Sequence, residues 1–278
     1  MSWDWISTLQ ELKQQATPAA LVTIIKAKGS TPRDVGTKIL VTTDKFFGTI
    51  GGGQLEELVI EKAREILKNH QAPERVPYPL CIKANQCCGG FVEVFIETVN
   101  TGPQLLLFGG GHVAQAVART LEGTPFQVHM IDPRDEWLTQ APASVIKHKD
   151  AGREFIEKYP HWNAERTYAV VMTYDHDLDQ DLIEQLVCKE TKYVGLIGSN
   201  TKWQRFQKRL LTKGLASELL AKVHSPIGLP IGGKSPQEVA ISFSAEIVQI
   251  QNQVLQNSAA SEKAHHISQE DSWLEELG

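Results

Sequence analysis

The stretch that decides the fold is Leu105-Leu-Leu-Phe-Gly-Gly-Gly-His-Val-Ala114. A short apolar run ends in three glycines, and a helix-forming segment follows at once. Gly109, Gly111 and Ala114 fill the small-residue places of the G-x-G-x-x-[GA] turn between a strand and a helix. Such a turn lets the backbone approach a phosphate, and the helix N-terminus behind it supplies amide donors and partial positive charge. The next apolar run ends at Asp132, about 20 residues on, where a ribose-binding acid belongs. Arg134 could meet a phosphate instead, and His112 at the helix start faces either a ligand or solvent. Helix-to-strand packing alone also demands small residues here. The motif therefore fixes the turn more firmly than it fixes a bound NAD(P) or other nucleotide, and no hydride-transfer machinery is evident nearby.

Outward from this turn, strand and helix alternate. Strands are expected at 104–108, 126–131, 143–147, 167–172 and 192–197, and helices at 112–121, 151–158, 178–189, 200–213 and 236–256. Short apolar strands in that order predict a doubly wound parallel sheet of the Rossmann type. Gly195-Leu-Ile-Gly-Ser199 follows a strand and precedes a helix, which makes Ser199 a candidate anion contact. Gly228 to Gly233 leads to Ser235-Pro-Gln-Glu238, which reads as N-cap, first helical residue and reciprocal cap, and needs no ligand. Thr173 to Asp177 closes the fourth strand. An Asp-capped helix is the preferred reading there, with a metal or substrate contact as the alternative.

Before a linker at Asn100 to Pro103 the rhythm differs, with strands grouped rather than alternating with helices, as in a mixed α+β domain. An amphipathic helix is expected from Met1 to Gln15, strands at 19–27, 37–43 and 46–50, and a helix at 54–68. Pro73, Pro77 and Pro79 are expected to break the chain before a strand at 80–83, and a last strand covers 91–97. The predicted domains are 1–100 and 101–256, followed by a polar tail at 257–278.

Bulk composition is that of a globular protein: 278 residues, 41% hydrophobic and 22% charged, with a net charge of −5. No block of lysine and arginine appears, which argues against nucleic-acid binding. No apolar run approaches the roughly 20 residues of a membrane span. The N-terminus lacks the apolar core of a signal peptide, so the expected setting is the cytoplasm.

Chemistry in the first half gathers at three places. Gly29-Ser-Thr-Pro-Arg33 carries backbone amides, the Ser30 and Thr31 hydroxyls and the Arg33 guanidinium, groups that grip a phosphate or carboxylate. Gly51, Gly52 and Gly53 precede a helix and offer a second set of amides. Cys87-Cys-Gly-Gly90 places two adjacent thiols before two glycines. Adjacent cysteines are poor disulfide partners, and they lack the two-residue gap of zinc and thioredoxin motifs. A thiol meeting a soft partner remains, with Gly89 and Gly90 removing bulk beside it. A tight turn at each glycine cluster equally explains each one taken singly.

These motifs carry a resemblance. Gly29-Ser-Thr-Pro-Arg33, Thr49-Ile-Gly-Gly-Gly-Gln54 and Cys87-Cys-Gly-Gly90 resemble the N-terminal domain of the XdhC/CoxI family. Leu105 to His112, Ile131-Asp-Pro-Arg134, Gly195 to Ser199 and Pro226-Ile-Gly-Leu-Pro-Ile-Gly232 resemble its Rossmann-type domain. The resemblance implies a xanthine dehydrogenase accessory protein, a chaperone for the molybdopterin form of the molybdenum cofactor. Such a protein shelters the cofactor while a cysteine desulfurase sulfurates its metal, then hands it to apo-xanthine dehydrogenase. It implies Cys87 or Cys88 as the contact to the cofactor molybdenum; a homodimer is the expected state for a protein that docks on a dimeric enzyme, and no turnover reaction is assigned. The alternative reading is a nucleotide-dependent oxidoreductase or transferase working at the Gly109 turn.

Overall fold

A computed structural model describes residues 4–15, 17–69, 71–80 and 90–253. The chain divides into two compact units, Met1–Gly102 and Pro103–Gly278.

The first unit holds α1 (Trp5–Gln14), β1 (Ala19–Lys28), β2 (Lys38–Val41), β3 (Phe46–Gly48), α2 (Gly53–Lys68), β4 (Glu74–Leu80) and β5 (Gly90–Val99). Its five strands form an antiparallel sheet in the order β3-β2-β1-β5-β4. Alternate residues of each strand point to opposite faces. Ala20, Val22, Ile24, Val92, Val94 and Ile96 therefore join the apolar stripe of α2, Leu55, Val59, Ala63 and Ile66, in one core. Ala19, Leu21 and Leu40 form a smaller cluster with Leu12 of α1, flanked by Trp5, Leu9 and Phe47.

One expectation is corrected here. Pro77 and Pro79 do not break the chain; both lie inside β4, opposite Glu93 and Phe91 of β5. β4 is an edge strand with a single neighbour. A proline there can turn its missing N–H toward solvent without loss to the ladder. The intervening Val76, Tyr78 and Leu80 pack against the core. The remainder of the strand expected at 80–83 lies outside the described residues.

The second unit is an α/β domain with a six-stranded parallel sheet. Its strands are β6 (Gln104–Phe108), β7 (Gln127–Ile131), β8 (Ile146–His148), β9 (Asn163–Val171), β10 (Thr191–Leu196) and β11 (Val223–His224). The order is β11-β10-β9-β6-β7-β8, every pair parallel. That is the Rossmann order, with the crossover direction reversing between β6 and β9. The helices are α3 (His112–Thr120), α4 (Asp135–Gln140), α5 (Arg153–Lys158), α6 (His176–Leu186), α7 (Asn200–Thr212), α8 (Ser217–Leu220) and α9 (236–253).

Successive residues of the central strand serve the two faces. Leu105 and Leu107 pack with α3 and with Ala240, Phe243 and Ile247 of α9. Leu106 and Phe108 pack with α5, α6 and α7. The third strand is shorter and later than expected, and α4, α8 and β11 have no counterpart among the expected elements. All are short, and a single turn of helix or two residues of strand carries little periodic signal. The polar tail at 257–278 lies outside the described residues. Among the described residues no helix is long and apolar enough to cross a membrane.

Candidate functional site

In the first unit, the three motifs meet. The backbone of Gly51 lies so close to Pro32 that a methyl on it would sit 2.4 Å from the Pro32 Cβ. A methyl on Gly90 would sit 2.2 Å from the Ser30 carbonyl oxygen. The Gly29–Arg33 loop is thus held against the glycine turn before α2 on one side and the first residue of β5 on the other. Gly90 is the last residue of the cysteine motif, so that motif ends on the anion-type loop. Cys87, Cys88 and Gly89 lie outside the described residues. Ser30, Arg33, Gly51 and Gly53 are exposed, and Thr31 and Gly52 are partly so.

The glycine turn is organised by a residue that sequence reasoning missed. Glu56, in the first turn of α2, accepts hydrogen bonds from Ile50 N at 2.9 Å, Gly52 N at 3.2 Å and the Thr49 hydroxyl. Gly51 N donates to Thr49 Oγ1 at 3.0 Å. The Gly51 and Gly52 amides expected to receive an external anion therefore already face internal acceptors. The N-terminus of α2 itself has no side-chain cap. The readable signal was an acid in a first helical turn, just after a glycine cluster.

In the second unit the predicted residues gather at the carboxyl edge of the sheet, beside the reversal of strand order. Gly109 has φ +113°, and an added methyl would lie 2.5 Å from the Met172 carbonyl oxygen. Close approach of β6 to β9 requires this glycine. Gly111 differs: its φ is −66°, and a methyl there would meet nothing within 4 Å. No intramolecular contact demands a bare position, so this is where a phosphate could approach α3. Ala114 is buried at the third small-residue place.

Asp132 does not stand open toward a ribose. Its Oδ1 accepts from Arg134 N and Nε, both at 2.9 Å. Its Oδ2 accepts from Gly110 N at 2.8 Å and Arg134 Nη2 at 2.7 Å. Burial opposes its charge, but the bonds from Arg134 and Gly110 outweigh it and hold the carboxyl below the ordinary carboxylate range. The Arg134 guanidinium lies 4.5 Å from the ring centroid of exposed Tyr174 and 5.5 Å from that of Trp137. His112, exposed, meets Trp137 edge-on at 5.0 Å. The crevice between Gly109, Asp132, Asp150 and Tyr174 has a volume of about 20 Å³, space for about one water molecule. The geometry suits a phosphate at Gly111 better than a ribose diol at Asp132.

Ser199 caps α7, accepting from Lys202 N at 3.3 Å. Asp175 caps α6, accepting from the amides of Asp177 and Leu178. The Ser235–Glu238 box is formed as expected, with Ser235 N donating to Glu238 and Glu238 N to Ser235 Oγ. Sequence reasoning also missed a buried ion pair at this edge. Lys202 Nζ donates to Asp179 Oδ2 at 2.6 Å and to the Ile197 carbonyl at 3.0 Å, while Asp179 Oδ1 accepts from the Thr173 amide and hydroxyl. This pair locks the ends of β9 and β10 together. Its members are 23 positions apart, a distance at which no local pattern betrays them. Among the described residues no group of three or more His, Cys, Asp or Glu is arranged to hold a metal.

Comparison with known proteins assigns both units. Residues 105–247 match the XdhC Rossmann domain, and residues 12–79 match the XdhC and CoxI family model. The chain is 31% identical over 248 residues to the uncharacterized protein YqeB of Escherichia coli (strain K12), covering 87% of this chain and 45% of that protein. It is 30% identical over 167 residues to a probable xanthine dehydrogenase subunit of Bacillus subtilis (strain 168), covering 58% of this chain and 47% of the relative. The chain thus spans about half the length of the curated relatives it matches. A crystal structure from Bacillus halodurans described as a xanthine dehydrogenase aligns with a TM-score of 0.48 at 20% identity, over 89% of this chain and 96% of that one. On the two domain matches, which follow one another in the same order as the two units, this chain belongs to the XdhC/CoxI family.

Proposed function

We propose that this protein is an accessory factor that holds the molybdenum cofactor in its molybdopterin form, during sulfuration by a cysteine desulfurase and before insertion into apo-xanthine dehydrogenase. The observation that carries this reading is the convergence of Gly29–Arg33, the Gly51 turn and Gly90 on one another. It brings the end of a two-thiol motif to a loop bearing hydroxyls and a guanidinium, a combination suited to cargo with a phosphate at one end and a sulfur-bound metal at the other. The name of the Bacillus subtilis relative supports xanthine dehydrogenase as the client. Cys87 or Cys88 is the metal contact in this reading, and the protein acts as a cytoplasmic homodimer.

The test is purification of the full chain from cells that make the cofactor, followed by metal analysis and by fluorescence of the oxidised pterin. Molybdenum and pterin in equal amounts are expected, with transfer that activates apo-xanthine dehydrogenase. Retention and transfer unchanged after Cys87→Ala and Cys88→Ala together would reject the thiol's role. The open backbone at Gly111 favours a second reading, in which the Rossmann-type unit binds a nucleotide through its phosphate. A co-purifying dinucleotide without pterin would put that reading first.

A further inference from the structure

Charge is unevenly shared within the second unit. The chain as a whole carries −5, yet α7 holds Lys202, Arg205, Lys208 and Arg209 and no acid. Among the described helices of this unit, only α7 has more than one cation and no acid. Its cations divide by position. Lys202 turns inward to Asp179, while Arg209, with Lys213 just beyond the helix, faces Asp177 and Glu184 of α6. Arg205 and Lys208 lie one turn apart on the outer side, and their side chains have neither an ion pair nor a hydrogen bond among the described residues. Leu211, one turn further on, is 49% exposed and ends the same strip in an apolar side chain. Thr201, Gln204 and Thr212 are exposed with it, so no described element covers this side of α7.

We infer that this strip seats residues 270–277 of the same chain, Glu-Asp-Ser-Trp-Leu-Glu-Glu-Leu. The segment is the inverse of α7. Glu270, Asp271, Glu275 and Glu276 surround Trp273, Leu274 and Leu277, with no lysine or arginine among them. The acids complement Arg205 and Lys208, and the apolar side chains complement Leu211. The segment lies outside the described residues, and it belongs to the same unit as α7. Helix α9, which leads toward it, offers no charge to hold it, since 236–253 contains no lysine or arginine. Helices α9 and α7 pack on opposite faces of the parallel sheet. The sixteen residues 254–269 reach about 50 Å when extended, enough to pass from one face to the other. One exposed ion pair holds little on its own. Several of them with an apolar contact suffice on a tether that keeps the segment at roughly millimolar local concentration. The inference is independent of the cargo reading, because it uses neither the cysteine motif nor the glycine turns.

The test is zero-length carbodiimide cross-linking of the full chain, mapped by mass spectrometry, on an equal mixture of light and heavy-isotope protein. Lys213 and Glu184, paired at 2.6 Å, give an internal standard for both the fold and the reagent. The expected product joins Lys208 to an acid of 270–276 within one chain. Its yield, relative to the standard, should fall at least about threefold when salt is raised to about 0.5 M. Arg205→Gln, Leu211→Ser and Trp273→Ser should each lower it at least about twofold, whereas Lys158→Met, on α5, should change nothing. Absence of the Lys208 product while the standard forms would overturn the docking, as would full yield in both Arg205→Gln and Leu211→Ser proteins. A product found only between light and heavy chains would also overturn it, and would assign the strip to a second copy of the chain.

Discussion

Gly109 and Gly111 stand two positions apart in one motif, yet physics treats them differently. Alanine at 109 must adopt a φ near +113° and press into the Met172 carbonyl, which is backbone and cannot swing away. Gly109→Ala should cost about 2–4 kcal/mol and lower the melting temperature of the second unit, measured by calorimetry. Gly111→Ala should leave stability within about 0.5 kcal/mol, while any phosphate ligand at α3 loses its approach. If both variants melt alike, the distinction between a packing glycine and a ligand glycine fails. A second residue-level case is His129. It is 2% exposed, its Nδ1 lies 3.0 Å from His148 Nε2, and its Nε2 has no hydrogen-bond partner among the described residues. Burial, and then the proximity of His148 and His161, pushes its pKa down to about 3. The unfolded chain takes up this proton near pH 6.5 and the folded one does not, so the contribution is whole above pH 6.5 and is lost as pH falls toward 3. Urea unfolding of the second unit should lose roughly 1.4 kcal/mol per pH unit from this group below about pH 6, and His129→Gln should flatten that slope. An unchanged slope in the variant would assign the acid sensitivity to other groups, of which His148 and His161, also depressed by burial, come first.

Among the elements, α2 shows how a helix and its preceding loop are one device. Glu56 reaches back from the first turn and gathers the Thr49 hydroxyl with the Ile50 and Gly52 amides, so the helix fixes the loop that touches Pro32. Glu56→Ala should strand these donors and cost about 2–3 kcal/mol, since bonds to a charged acceptor are worth about 1.5–3 kcal/mol. It should also loosen the Gly29–Arg33 loop, seen as faster amide exchange at residues 30–33. Glu56→Gln should recover part of both effects, and slow exchange in a folded Glu56→Ala protein would refute the coupling. The sequence makes α2 and its glycine turn readable because apolar residues recur at helical spacing and three glycines in a row have few other uses. Which acceptor the turn's amides meet depends on the loop conformation, in which an internal acid and hydroxyl a few residues away, Glu56 and Thr49, compete with an external anion for the same donors. β4 is opaque for a related reason. A proline is a breaker or an edge residue according to how many neighbours the strand has, and that number is a property of the sheet. The Ser235–Glu238 box is readable in full, since both partners lie within one turn of α9.

Every apolar cluster described stays within one of the two units. The two clusters on either side of the parallel sheet draw only on residues beyond 102, and those around the antiparallel sheet draw only on residues before 103. Both sheets likewise pair only within their own unit. Local periodicity makes this division readable, because the switch from grouped strands to strict alternation falls at Asn100 to Pro103. The Asp179–Lys202 pair and the Gly110 amide's bond to Asp132 stay hidden because they depend on which strand ends the Rossmann order sets side by side, whereas the Asp132–Arg134 clasp is local, spanning two positions. The same closure predicts autonomy. Met1–Gly102 and Pro103–Gly278 are each of ordinary domain size and each fills its own core. Expressed separately, each should give dispersed amide spectra and a single cooperative denaturant transition, with the larger fragment retaining the acid sensitivity of His129. The midpoint of each fragment should lie close to one transition of the full chain. A fragment that binds hydrophobic dye and melts without a cooperative transition would show that its core is incomplete without the other unit, and would overturn the prediction for that half.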